Sequence, residues 1–212
     1  MSNFKFHNGV DFVDSEIFTY NGNDFIKAEM YKSNVSDWDR IDYAPKLRTK
    51  TWVATWSQSY LGNNKQRDAK VLYQGQPQSA TYKGSQRSLI GFDTANIMQE
   101  LKGSKIQKVE FEFYSAHSWY STGCTYKIGF HNHANRPTTF SISEPNLKSI
   151  KCARDTKIKV DLTSLKLAEK LRDGSVKGLA FYVGNNTNLV HFGYVNGANM
   201  NNPPKITITY IK

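Results

Sequence analysis

The stretch Lys108-Val109-Glu110-Phe111-Glu112-Phe113-Tyr114 places Val109, Phe111 and Phe113 on one side of an extended chain and Lys108, Glu110 and Glu112 on the other. Side chains alternate faces along a strand, so a period of two reads as a strand with one face in a core and the other in water. The alternation recurs in Cys124, Tyr126, Ile128, Phe130, in Ile158, Val160, Leu162, and in Ile206, Ile208, Tyr210. Further strands are expected at residues 88–92, 178–183 and 189–195, and a short one at 70–73 within an otherwise polar, loop-like stretch from 57 to 88. Asp93-Thr94 caps a helix running to Leu101 and ended by Gly103, and Thr163 or Ser164 starts a second that stops near Gly174. Short alternating strands with turn signals between them predict an all-β fold, a jelly-roll β-sandwich with two short helices as crossovers.

Ahead of this body lies an internal repeat. Asn8, Asn21 and Asn34 are 13 residues apart, as are Asp11, Asp24 and Asp37, and the aromatics Phe12, Phe25 and Trp38. Asn-Gly at 8–9 and 21–22 supplies the positive φ of a tight turn, and the nearby Asp can bond back to backbone amides. The reading is a strip of small β-hairpins over residues 1–42. Such a strip buries little on its own and needs something to stack on, whether a partner chain or the rest of the protein. The body, 43–212, is taken to start loosely between residues 43 and 50.

The chain has 212 residues, 39% hydrophobic and 13% aromatic, which is enough for a real core and excludes a wholly disordered chain. Lys and Arg number 28 against 18 Asp and Glu. Residues 1–42 hold 4 basic and 8 acidic side chains, leaving 24 and 10 for the body, so an acidic foot precedes a basic body whose partner should be polyanionic. Lys65, Arg67, Lys70, Lys83 and Arg87 cluster in sequence and could meet nucleic-acid phosphates, teichoic-acid phosphates or only solvent; without a nucleic-acid motif, a generic polyanion footprint outranks base reading. Two cysteines, Cys124 and Cys152, exclude a disulfide-dense scaffold and read as inert thiols. The N-terminal residues carry no apolar stretch of a secretion signal, and apolar runs such as 179–183 fall far short of the ~20 residues that span a bilayer. A soluble protein made in the cytosol, without membrane insertion, is expected.

Glu110 and Glu112 share a strand face, but Lys108 and Lys127 on an expected neighbouring strand can pair with them, a solvated ladder more than a catalytic couple. His131-Asn132-His133 invites a metal reading, yet it lacks further ligands in sequence. Strand-end histidines, with His133 available to hydrogen-bond a ligand, are the plainer account. No metal or other cofactor is assigned, although loop carbonyls and carboxylates leave room for a structural calcium ion. The segment Ser115-Ala116-His117-Ser118-Trp119-Tyr120-Ser121-Thr122-Gly123 interrupts two strands with amphipathic rings. Trp119 and Tyr120 could stack on the C–H face of a sugar with His117 fixing its orientation, or could plug the end of the sandwich.

Arg87-Ser88-Leu89-Ile90-Gly91-Phe92-Asp93, Leu101 to Glu110, His117 to Gly123 and Ile128-Gly129-Phe130-His131-Asn132-His133 resemble the jelly-roll modules of tail and minor structural proteins from phages of Gram-positive bacteria. These are similar to the broader class of carbohydrate-binding modules, and the Asn-Gly-x-Asp-aromatic copies resemble short repeats of the same phage proteins. The resemblance covers roughly residues 4–42 and 82–210 and implies no catalytic residue. It implies a non-enzymatic virion protein of tail, fibre or head decoration, a homotrimer by analogy with fibres. Its partners would be other virion proteins and a cell-wall polysaccharide or teichoic acid. His117, Trp119, Tyr120 and His133 would then touch sugar, and Lys65, Arg67 and Arg87 phosphate. A purely structural role, binding only other virion proteins, is the alternative.

Overall fold

The computed structural model describes residues 18–20, 25–27, 30–34, 37–41, 45–78, 81 and 84–212. The chain divides into two compact units, 1–46 and 47–212. In the first, β1 (Phe18–Tyr20) pairs antiparallel with β2 (Phe25–Lys27), Tyr20 opposite Phe25. Likewise β3 (Met30–Asn34) pairs with β4 (Asp37–Ile41), Asn34 opposite Asp37. The second and third repeat copies thus each coincide with a hairpin. The first copy, residues 6–14, and the Asn21-Gly22 turn lie outside the described residues.

The second unit is a β-sandwich with two short helices. Its strands are β5 (Leu47–Val53), β6 (Trp56–Tyr60), β7 (Gln66–Asp68), β8 (Val71–Gln74), β9 (Arg87–Gly91), β10 (Lys105–Ser118), β11 (Cys124–His131), β12 (Glu144–Cys152), β13 (Thr156–Asp161), β14 (Gly178–Phe181), β15 (Gly193–Asn196) and β16 (Lys205–Ile211), with α1 (Thr94–Leu101) and α2 (Leu167–Asp173). One antiparallel sheet has the order β5-β16-β10-β15-β8 with β13 on β10, the other β12-β11-β14-β9-β6-β7. Long β10 organises the first sheet. Glu110 faces both Asp161 of β13 and Thr207 of β16, and Ser115 faces both Thr156 of β13 and Val195 of β15. Strands β16 and β15 therefore share one edge of β10, one beside each half. Most connections cross between the sheets, the winding the jelly-roll expectation calls for.

Between the sheets lie the inward residues that the alternation picked out, Val109, Phe111, Phe113, Tyr126, Ile128, Phe130, Ile206, Ile208 and Tyr210, all buried. Phe113 sets its ring edge-on to Tyr126 at 5.5 Å and to Phe181 at 5.2 Å, arrangements that favour aromatic pairs beyond their area. On the opposite side of the second sheet a smaller cluster forms from Tyr60, Leu89, Phe140 and Ala180 with Trp56, Ile142 and Tyr182. Phe140 and Ile142 belong to the segment after β11, which folds back over this face and is held by Tyr60 Oη donating to Pro137 O at 2.8 Å.

Helix α1 starts where the sequence indicates, with the Asp93 carboxylate accepting from Asn96 N at 3.0 Å, a cap worth about 1 kcal/mol. Glu100 on this helix takes Lys50 Nζ at 2.8 Å and Tyr210 Oη at 2.6 Å, bonds that hold its carboxyl at about 2 and pin α1 to β5 and β16.

Several expectations are corrected. Residues 57–60 and 66–68 are strand and not loop, since β6 and β7 lie there. Ser57 and Ser59 are buried because their hydroxyls serve carbonyls of the β7–β8 corner, Ala69 O at 2.7 Å and Asp68 O and Val71 O at 2.9 and 2.8 Å. The second helix is broken at Lys166, whose φ of 53° separates a 3-10 turn, Thr163–Leu165, from α2. The strand expected at 189–195 begins only at Gly193, because Asn188 caps a 3-10 turn over Leu189–His191. Strand β12, which sequence patterning does not reveal, is an edge strand that tolerates Pro145 near its start. The segment 115–118 is no loop either, because β10 runs on to Ser118.

Candidate functional site

The upper half of the first sheet carries a row of rings on its outer face. Leu72 and Val195 point into the core, so their neighbours Tyr73 and Tyr194 point outward, and they are paired across β8 and β15. Ser115 also points inward. An irregularity in the β10 ladder at Ala116 lets His117, not Ala116, stand opposite Tyr194. Tyr73 and Tyr194 lie 5.3 Å apart, and His117 stacks on Tyr194 at 4.9 Å with planes only 18° apart. At the far end the Arg67 guanidinium lies 3.5 Å over the Tyr73 ring and donates to the buried Gln86 side chain. At the near end Arg154 and Asp155 act on His117. Burial first, then Arg154, lowers its pKa, and Asp155 opposes them.

Trp119 and Tyr120 stand at the rim of this row, 41% and 45% exposed, so they are not the end plug weighed from sequence. They lie in a tight turn closed by Gly123 N to Tyr120 O at 3.0 Å and braced by Ser118 Oγ to Tyr120 O at 2.7 Å. Gly123 has a φ of 103°, and a Cβ there would fall 1.8 Å from Cys152 O, so only glycine closes the turn.

Buried polar groups between the two sheets, Tyr126 of β11 and Gln74 of β8, fix the row from beneath. Tyr126 Oη donates to Tyr194 O at 3.1 Å and lies 3.3 Å from Ser115 Oγ. Strand β14 pairs with β11 only from Ile128 onward, which leaves the β11 edge at Thr125 and Lys127 in need of partners. The fully buried Gln74 supplies them across the sandwich. Its amide donates to Thr125 O and His191 O, both at 3.0 Å, and accepts from Lys127 N at 2.8 Å.

Of the residues singled out from sequence, the fold brings His117, Trp119, Tyr120 and Arg67 to this one end. Lys65 is exposed in the β6–β7 connection. Arg87 is not presented to a ligand. It is buried, donates to Ser85 O at 3.0 Å and Gly62 O at 3.2 Å, and lies between the Phe140 and Tyr182 rings at 5.3 and 5.2 Å, where it pins the covering segment. His133 is also elsewhere. It follows β11, which runs away from the Trp119 turn for roughly 23 Å at strand rise, and its Nε2 shares a hydrogen bond with Ser141 Oγ at 2.7 Å. Lys83 lies outside the described residues. Lys127 cannot pair with Glu110 or Glu112, because β11 belongs to the other sheet. Glu110 instead meets Lys108 at 3.0 Å, and Glu112 meets Lys205 at 3.0 Å and Lys157 at 3.7 Å. Among the described residues no three His, Cys, Asp or Glu side chains are grouped to hold a metal ion, and no helix is long and apolar enough to cross a membrane.

Tyr73 and Tyr194 were missed from sequence. The signal was present as Leu72-Tyr73 and Tyr194-Val195, where an aromatic alternates with a core residue, but which sheet each strand joins is not written locally. No family model matches the chain, and no curated protein matches it.

Proposed function

We propose that this chain is a non-enzymatic phage virion structural protein whose basic sandwich contacts a host cell-wall glycopolymer. The observation that carries the reading is the outward row Tyr73, Tyr194, His117, continued by Trp119 and Tyr120 at the rim and ended by Arg67. Ring faces offer sugars a flat apolar surface, while the imidazole and phenol edges orient hydroxyls. The body's basic surplus speeds encounter with a polyanion such as teichoic acid. The acidic hairpin repeats anchor the protein in the virion and assemble it as a homotrimer.

Pull-down on Gram-positive cell walls, before and after teichoic acid is stripped, at low and high salt, tests the reading. Salt-sensitive binding lost on stripping is expected, and Tyr194→Ala should weaken it by about 3- to 10-fold. Absence of binding under every condition would leave the purely structural alternative, a sandwich that binds only other virion proteins. Mass photometry tests the trimer, which a monomer at all concentrations would remove.

A further inference from the structure

We propose that Cys124 and Cys152 form a redox-closed staple that locks the two sides of the rim around the ring row, an inference that rests on reading this rim as part of the binding site. Cys124 is the first residue of β11 and Cys152 the last of β12, and they are direct partners in the antiparallel ladder. Both are free thiols, and both face the core. Directly opposed residues of antiparallel strands have Cα atoms about 4.5–5.5 Å apart, inside the roughly 4.4–6.8 Å that a disulfide spans, so closure needs no rearrangement of the strands.

The location gives the bond a consequence. Cys124 follows Gly123, the residue that closes the Trp119-Tyr120 turn, and Cys152 precedes by two residues Arg154, whose charge acts on His117. A Cβ on Gly193 would meet Cys124 Sγ at 2.6 Å, so the thiol packs directly beneath the backbone that leads into Tyr194. A disulfide here ties the exposed aromatic turn to the Arg154 turn and stiffens the floor between them.

The oxidant is a small-molecule disulfide. One cysteine thiolate attacks it, forming a mixed disulfide and releasing one small thiol. The second thiolate then attacks the protein sulfur of that mixed disulfide and releases the second. The protein loses two electrons, the oxidant gains them, and the two cysteine protons end on the released thiols. Burial pushes Cys124 up to about 11 and Cys152 up to about 12, so the dithiol is slow to react in the folded protein at neutral pH. Access comes through fraying, since β12 is an edge strand and both cysteines sit at strand ends. The pair thus stays reduced in a reducing cytoplasm and closes on long exposure to an oxidising medium.

The test incubates the folded full chain with oxidised glutathione at alkaline pH, beside Cys152→Ser and Cys124→Ala. Expected are a mass loss of two hydrogens, disappearance of both titratable thiols without dimer formation, and slower amide exchange in residues 119–124 and 152–157. Tm should rise by about 5–10 °C, with none of these changes in either variant. Thiols that persist in the folded chain while the urea-unfolded chain oxidises would overturn the proposal. So would a stable glutathione adduct or a disulfide-linked dimer as the product, or closure without change in exchange. None of these readouts depends on glycan binding. Wall binding by the dithiol form, measured separately, reports on the platform reading alone.

Discussion

Lowering the pH from 8 to 5 should destabilise the sandwich by about 2 kcal/mol through His131 alone. This imidazole is completely buried. Its Nε2–H donates to Ile90 O at 3.0 Å, and its Nδ1 accepts from His133 N at 3.2 Å, so both nitrogens are satisfied only in one neutral tautomer. A second proton would break the His133 contact and place a charge beside Trp56, whose ring lies 5.4 Å away. Burial therefore lowers its pKa from 6.5 to about 4. Because the folded value is depressed, the unfolded chain binds more protons between the two values. Stability is complete above about 6.5, declines as pH falls toward 4, and loses nothing further from this group below that. At pH 5 the unfolded ring is about 97% protonated and the folded one about 10%, which corresponds to roughly 2 kcal/mol. Urea unfolding followed by tryptophan fluorescence reads this as a midpoint drop of about 1 M at an m-value near 2 kcal/mol/M. His117 shifts the same way, so the comparison is with His131→Gln, whose amide offers one donor and one acceptor but does not titrate. The carboxylates held low, Glu100, Asp161 and Asp173, titrate below this window. The variant should lose most of the pH 8 to 5 slope. An equal midpoint drop in both proteins, or a flat wild-type profile at constant m-value, would refute the reasoning.

Arg87→Met should cost about 2–3 kcal/mol in urea unfolding, since Ser85 O and Gly62 O lose a buried donor, while leaving the salt dependence of wall binding unchanged. Gly123→Ala forces a side chain into a φ of 103° against Cys152 O, and thermal unfolding should show a loss of about 2 kcal/mol or more. Glu100→Gln should lose about 1–2 kcal/mol at pH 7, from charge-assisted bonds to Lys50 and Tyr210. Acid titration of the two proteins should see that difference shrink as pH falls from 4.5 through 2, where the wild-type carboxyl protonates.

What was legible in the sequence is what the hydrophobic period encodes. Val109-Phe111-Phe113 and Ile206-Ile208-Tyr210 state their own burial, and Asp93 and Gly103 bracket a helix whichever sheet it crosses. Strand β6 is silent because Ser57 and Ser59 are buried to satisfy carbonyls of the β7–β8 corner, a reason that lies 9 to 12 residues further along the chain. The charge of Arg87 suggested a phosphate contact. Its aromatic neighbours Phe140 and Tyr182 come from segments 53 and 95 residues later, so only the fold shows that it is a structural pin. The candidate site divides the same way: Trp119 and Tyr120 are a local signal, whereas the row depends on which strands flank β10.

The rigidity of that row follows from the same long-range dependence. Strands β15 and β8 are four residues each, and a sheet of such short strands holds few ladder bonds of its own. Tyr126 and Gln74 compensate from the core side, with a phenol under the Tyr194 carbonyl and an amide that bridges β11 to His191. Both polar groups are buried and partnered, so displacing either strand would orphan them at about 1–3 kcal/mol each. The rings are therefore held in place by the fold itself, and in the proposed role binding would spend no free energy on ordering them. Tyr126→Phe separates this effect from simple stability. If the brace matters, the variant should weaken wall binding by more than the fraction unfolded explains, because the Tyr194 backbone loses its support while the rings themselves remain.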